Sequence, residues 1–210
     1  MTSPGYHPVQ RNWTAYYDAI AGRPPRETLL RALDQFDTEL EPEIPKTAVD
    51  LGCGDGRDTV ELLRRNWQVF AIDREETAIA RLLSRPDLCL DRLHTQIGQF
   101  EGLTLPTVVD LINASFCLPF CAPQAFPTLW QTLTAALRPG GRFCGQLLGD
   151  RDSWVTDMTV TAHSRAQATA LFAEFEVEWF EEEEHPGKTA IGEDKYWHLF
   201  HIIARKRFPD

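Results

Sequence analysis

The chain predicts a doubly wound α/β fold, a mostly parallel sheet covered on both faces by helices. Three observations predict it. An apolar run at 48–51 leads through a glycine-rich turn and a helical stretch to a second apolar run at 69–72 that ends in Asp73, the pattern of a strand-helix-strand unit. Strand-like and helix-like periodicities then alternate as far as Leu148. Residues 177–180 and 195–206 read as two strands joined by a loop that holds Pro186-Gly187, so the sheet ends in an antiparallel pair.

The individual elements follow from spacing. Leu29, Leu30, Leu33 and Phe36 share one face of a helix over 27–36, which the prolines of Glu41-Pro42-Glu43-Ile44-Pro45 stop before the first strand. Ahead of that helix, Trp13, Tyr16 and Tyr17 precede Pro24-Pro25, and this segment reads as a cover over the site. After Asp73, Ile79, Leu82 and Leu83 have helical spacing, and a polar stretch leads to a short strand over 93–98. A strand over 108–114 follows. Phe126, Leu129, Leu133 and Leu137 keep register along a helix over 124–137, which Pro139-Gly140-Gly141 ends before a strand over 143–148. Ser164-Arg165-Ala166-Gln167 has the form of a capping box, and Ala168, Leu171, Phe172 and Phe175 continue on one face. The expected organisation is one domain, with 1–26 as the cover and 27–206 as the core.

At 210 residues the chain is long enough for one substantial core. Its formal charge of -10 repels phosphate backbones, so DNA, RNA and anionic membranes are poor partners and a small molecule is the better one. The run Glu181-Glu182-Glu183-Glu184 is expected as a solvated hairpin edge where charge deters strand pairing, without a catalytic role. Cysteines at 53, 89, 117, 121 and 144 form no Cys-x-x-Cys pair, so no metal centre is expected. Cys117 and Cys121 read as small core residues rather than a redox pair. The first eight residues lack an apolar segment and no run reaches the roughly 18 apolar residues of a membrane span, which gives a cytoplasmic expectation.

Glycines at 52, 54 and 56 allow a tight bend and a close ligand approach, and the helix after them offers free N–H groups. Asp73 lies about 20 residues on, where a carboxylate reaches both hydroxyls of a ribose. The dinucleotide fingerprint needs Gly-x-Gly-x-x-Gly, whereas here the spacing is Gly52-x-Gly54-x-Gly56, and Asp55 and Asp58 stand where a pyrophosphate would lie. A nucleotide cofactor with an amino group and no phosphate fits better.

The run Asp50-Leu51-Gly52-Cys53-Gly54-Asp55-Gly56 resembles the first motif of the class I S-adenosylmethionine-dependent methyltransferases. Asp73, the strand through Asn113 and the turn Arg138-Pro139-Gly140-Gly141 extend the resemblance over most of 45–206, and more weakly it points to the tellurite-resistance and small-molecule methyltransferases. It implies a Rossmann-like seven-stranded sheet, mostly parallel with an antiparallel C-terminal strand, and S-adenosylmethionine as the cofactor. It further implies Gly52, Cys53, Gly54 and Gly56 at the methionine portion, Asp50 beneath the turn, and Asp73 with Arg74 at the ribose. Asn113 and Ala114 would meet the ammonium, and Arg23 would clamp the carboxylate. The acidic residue usual at the adenine is replaced by Gly98-Gln99-Phe100-Glu101, which leaves Gln99 with Phe100, or Glu101, to meet the ring.

On the acceptor side, Tyr17, Phe116, Arg151 and Trp154 are the binding candidates and His163 the candidate general base. Each has a plainer reading as core or surface. His185, His198 and His201 read as hairpin residues. The expected activity is methyl transfer to a small molecule; the alternative is a protein that binds the cofactor without turning it over.

Overall fold

The computed structural model describes residues 12–39, 45–86 and 88–209. Its sheet runs in the order β3-β2-β1-β4-β5-β8-β7, with a two-residue strand, β6 (Ala162–His163), attached to β5 off this path. β1 (Thr47–Leu51), β2 (Gln68–Asp73), β3 (Leu93–Ile97), β4 (Val109–Ala114) and β5 (Leu137–Gly149) are parallel, and β8 (Asp194–Lys206) runs antiparallel to β5 and to β7 (Phe175–Lys188). The seven strands of the main path and the reversed C-terminal strand match the expectation, and β6 is an addition too short to show as a period in the sequence.

β1 and β4 are apolar because they lie between helices on both faces. Val49, Leu51 and Ile112 pack with Leu129, Trp130 and Leu133 of α5 (Phe126–Ala136). On the other face Ala48 and Leu111 meet Leu29, Leu33 and Phe36 of α2 (Glu27–Asp37), Leu62 of α3 (Arg57–Arg64) and Leu82 of α4 (Glu76–Leu83). α1 (Trp13–Ile20) starts at Asn12, whose Oδ1 accepts from the Ala15 N–H at 3.0 Å. A short α6 (Trp154–Asp157) follows β5, and α7 (Arg165–Leu171) carries the capping box read from Ser164 and Gln167. Among the described residues no helix is long and apolar enough to cross a membrane.

Chain order reverses between β1 and β4, so a crevice opens at their carboxyl ends.

Two local expectations are corrected. Arg138-Pro139-Gly140-Gly141 belongs to β5: Gly140, at φ +77°, permits an irregularity between the Val109↔Leu137 and Leu111↔Arg142 pairs, so the strand bends without ending. Pro186-Gly187 is not the hairpin loop, since both residues pair with β8 opposite Tyr196 and Lys195. β7 is the last strand of the sheet, where proline's missing N–H leaves no ladder bond unmade. Residues 1–11 and 40–44, including most of the helix-stopping Pro42 stretch, lie outside the described residues.

Candidate functional site

The turn after β1 holds Gly52, Gly54 and Gly56 at φ of +66°, +56° and +81°. Their surroundings differ. A Cβ on Gly52 would lie 2.4 Å from Cys117 Cβ, and one on Gly56 would lie 2.2 Å from Leu82 Cδ1, so both positions are closed by packing. On Gly54 it would meet the edge of the Tyr17 ring at 3.2 Å. Gly54 therefore borders the cavity under the cover segment, whereas Gly56 lets α3 pack on α4.

Asp73 closes the other side of the turn. Its Oδ2 accepts from the Gly54 N–H and its Oδ1 from the Glu75 N–H, both at 2.9 Å. Burial raises its pKa against the pull of those two donors. Each oxygen keeps a further lone pair for a ligand hydroxyl.

Beneath the turn, Asp50 accepts from the Thr59 hydroxyl and, at 2.9 Å, from Asn113 Nδ2. The same amide nitrogen lies 3.0 Å from Asp58 Oδ2, and Asp58 Oδ1 accepts from the Arg26 N–H that begins α2. Burial first, then the neighbouring Asp58 charge, raise the Asp50 pKa. This network ties β1, β4, α2 and α3 together at the crevice. It also explains where Asn113 goes: its side chain is fully buried and committed to the two carboxylates.

One cavity of about 1290 Å³ occupies the crevice. At one end are Asp50, Gly52, Cys53, Gly54, Asp73 and Arg74, with Gln99, Phe100 and Glu101 beside them. Tyr17 and Arg23 lie along the cover side, and Phe116 and Trp154 along the far wall. Gly56, Asn113 and Ala114 stand behind that wall, because helix packing, the carboxylate network and the strand interior claim them.

Arg151 and His163 do not reach the cavity. Arg151 lies across the outer face of the hairpin, bonded to Glu182 at 2.9 Å and Glu184 at 2.8 and 2.6 Å. Glu182, Glu184 and His198 gather ligand atoms within 4.8 Å of one another, and this guanidinium already fills the space among them. His163 is buried against Phe126, 4.8 Å between rings, and burial lowers its pKa.

The structure adds groups the sequence reading passed over. Glu181, Glu183 and His185 of β7 and Trp197 and His201 of β8 line the cavity. Strand alternation divides the glutamate run: Glu182 and Glu184 face outward to arginines, while Glu181 and Glu183 face inward. The inward residues keep the solvent exposure expected of a hairpin edge, Glu183 with 38% of its side chain accessible, and form one wall of the cavity as well. The readable signal was the period-two series Glu181, Glu183, His185, which an unbroken acidic run conceals.

Phe116 adopts φ +57°, uncommon for a side-chain-bearing residue, and is held there by its N–H bond to Gln146 Oε1 at 3.2 Å and by the Arg26 guanidinium 4.3 Å over its ring. Near the glycine turn, Arg57 donates to the Pro24 carbonyl, yet its Nη1 is buried without a partner among the described residues. Burial first, then the nearby Arg26 and Arg23 charges, lower the Arg57 pKa against the opposing pull of Asp58.

A methyltransferase domain family matches residues 48–141. The carboxy-S-adenosyl-L-methionine synthase of Stutzerimonas stutzeri (strain A1501) is 31% identical over 108 residues, 44% of this chain and 41% of that protein. The malonyl-(acyl-carrier protein) O-methyltransferase of Xylella fastidiosa (strain M23) is 29% identical over 138 residues, 63% of this chain and 43% of that protein. The chain thus spans less than half the length of these curated relatives. Among solved structures, TehB from Haemophilus influenzae superposes with a TM-score of 0.68 at 16% identity, over 84% of this chain and 62% of that one. The Burkholderia thailandensis 1,6-didemethyltoxoflavin-N1-methyltransferase, solved with S-adenosylhomocysteine, gives 0.65 at 19% identity, over 99% and 94%.

Proposed function

We propose that the chain, whose residues 48–141 match a methyltransferase domain family, is a class I S-adenosylmethionine-dependent methyltransferase that transfers a methyl group to a small molecule bound in the hairpin half of the cavity. The observation that carries the reading is the cavity's extent. Small-molecule pockets run to roughly 300–1,000 Å³, and this one, at about 1290 Å³, continues past the nucleotide end to Trp154, Trp197 and His201. That leaves room for a second molecule. A protein that only sequestered the cofactor would have no use for it.

The residues present fit the cofactor. The unpartnered Arg57 Nη1, with Arg23 nearby, suits a carboxylate, and the open side of Gly54 suits a ligand that must approach backbone closely. Asp73 would accept from the ribose hydroxyls, Cys53 would border the methionine portion, and Gln99 with Phe100 would meet the adenine. When bound, the cofactor supplies an electrophilic methyl group on sulfur. The protein's work is to hold the acceptor in line and keep water out, which Tyr17, Trp13 and Phe120 do by covering the crevice. The acceptor is read as small because an acidic surface repels nucleic acids, and the cytoplasm stays the expected compartment.

Two measurements test the reading. Calorimetry should show binding of S-adenosylmethionine and S-adenosylhomocysteine but not of NAD. Incubation of methyl-labelled donor with an acceptor library should then transfer label; tight binding with no transfer to any member would favour the sequestering alternative.

A further inference from the structure

The inner face of the hairpin carries a chain of three groups. His201 Nε2 lies 2.6 Å from Glu183 Oε2, and His185 Nε2 lies 2.6 Å from Glu183 Oε1. Their partners decide which nitrogens hold protons. His185 Nδ1 faces the Pro186 carbonyl at 2.9 Å, so both of its nitrogens face acceptors, and the Pro186 and Glu183 bonds raise its pKa towards the imidazolium form. Against the upward push of partial burial, the bonds from His185 and His201 hold the Glu183 pKa below the usual carboxylate value. Glu183 is therefore ionised and His201 Nε2 must donate to it. The other nitrogen of His201, Nδ1, lies 3.5 Å from Gln146 Nε2, which offers only N–H groups. That amide cannot turn round, since its Oε1 takes the Phe116 N–H and its Nε2 donates to Thr28 Oγ1 at 3.1 Å. His201, on the cavity wall, is thus placed with Nε2 as donor and Nδ1 as acceptor, the Nδ1 lone pair facing the Gln146 amide at 3.5 Å.

An aromatic band leads to it. Trp13 and Phe120 are 5.3 Å apart between ring centroids, Phe120 and Trp154 5.8 Å, Trp154 and Trp197 5.6 Å, and Phe116 sits 6.5 Å from both Trp197 and His201. Such a wall favours a flat ring over a flexible polar chain.

We propose that His201 Nδ1 is the proton acceptor of the reaction, that Glu183 positions it, and that the acceptor molecule is a planar aromatic compound with an acidic hydroxyl. This rests on the methyl-transfer reading above. As the acceptor oxygen attacks, its O–H pair becomes the lone pair that forms the new O–CH3 bond, and the proton passes to Nδ1. The electron pair of the breaking S–CH3 bond stays on sulfur, leaving a neutral thioether. The imidazolium formed is stabilised by Glu183 and later returns its proton to water. His185 has its own part: by neutralising Glu183 at rest, it keeps His201 from being protonated in advance.

The test uses the full chain loaded with S-adenosylhomocysteine and 4-nitrophenol as the probe. Nitrogen NMR of the histidine rings should show His201 at neutral pH as the Nε2–H tautomer; a protonated Nδ1 overturns the proposal. Bound 4-nitrophenol should show phenolate absorbance at a pH roughly one unit below its value in water, a shift that His201→Gln abolishes and Glu183→Gln reduces. Failure of the probe to bind, or an equal shift in all three proteins, overturns it as well. Both variants should bind S-adenosylhomocysteine within about threefold of the wild type, which checks their folding. If the wild type does not bind S-adenosylhomocysteine, the methyl-transfer reading fails by itself, while ring NMR and the probe titration without it still report on His201.

Discussion

At Asp73 one carboxylate does two jobs, orienting the glycine turn through Gly54 and lining the end of the cavity beside that turn. Asp73→Ala should weaken S-adenosylhomocysteine binding by about 3 kcal/mol, roughly a hundredfold, in calorimetry; an unchanged affinity would remove Asp73 from the site. The three glycines separate by what surrounds them. Gly52→Ala drives a Cβ into Cys117 at φ +66° and should cost about 2 kcal/mol or more in denaturant unfolding, whereas Gly54→Ala should act mainly on cofactor affinity. Asp50 gives a pH dependence with a definite sign. Its pKa is raised in the fold, so the folded chain holds that proton more tightly than the unfolded chain, whose ordinary value is 3.8. Its contribution is greatest in acid and is lost as the pH climbs from about 4 towards neutrality. Asp50→Asn, which still accepts from Asn113, should flatten that fall by on the order of 1–2 kcal/mol between pH 5 and 7 in urea melts.

At the scale of elements, two segments roof the cavity and touch each other. Tyr17 and Ile20 of α1 pack on Ala78 of α4, and Ala190, beyond the end of β7, packs against the same group. The aromatic cover read from Trp13, Tyr16 and Tyr17 is a helix seated over the crevice, with Tyr17 only 3% exposed. Burying Tyr17 beside Asp73 and the glycine turn implies that the cover lifts for exchange of ligands. Amides of residues 13–23 and 188–193 should gain about tenfold in hydrogen-exchange protection when S-adenosylhomocysteine binds. Equal protection with and without it would make the roof a fixed wall. The hairpin matters because the pairing of β7 and β8 carries Glu183 and His201 to one wall of the cavity.

For the whole molecule, the proposed cofactor site would couple the crevice to global stability, because a ligand held there binds only the folded chain. At a hundredfold excess over the dissociation constant the gain is about 2.7 kcal/mol. For a chain of this size that corresponds to a rise of about 5–10 °C in melting temperature by scanning calorimetry. The rise should be nearly absent in Asp73→Ala, and a wild type that does not respond would mean that the cavity does not bind this ligand. A single cavity joining the glycine turn to the hairpin makes cofactor and acceptor neighbours in one enclosed space, on the reading proposed here.

The sequence alone determined the alternation of strands and helices, the reversed C-terminal strand and the glycine turn that borders the cavity. Strand and helix periods, a capping box and a Gly-x-Gly-x-Gly turn with Asp73 after it are local signals, and short-range backbone physics generates them. It did not show which candidates face the cavity. Asn113 turned inward because two buried carboxylates needed its N–H groups, and Arg151 turned outward because Glu182 and Glu184 drew it across the sheet. Pro139 and Pro186 read as turn signals, yet an irregularity at Gly140 and the sheet's free edge accommodated them within strands. The hairpin wall of the cavity belonged wholly to the tertiary structure: Glu183 and His201 are 18 residues apart and meet only because antiparallel pairing brings them together on one face. A run of four glutamates has the same composition whichever pair points inward, and only the packing of β7 against the rest of the sheet decides that.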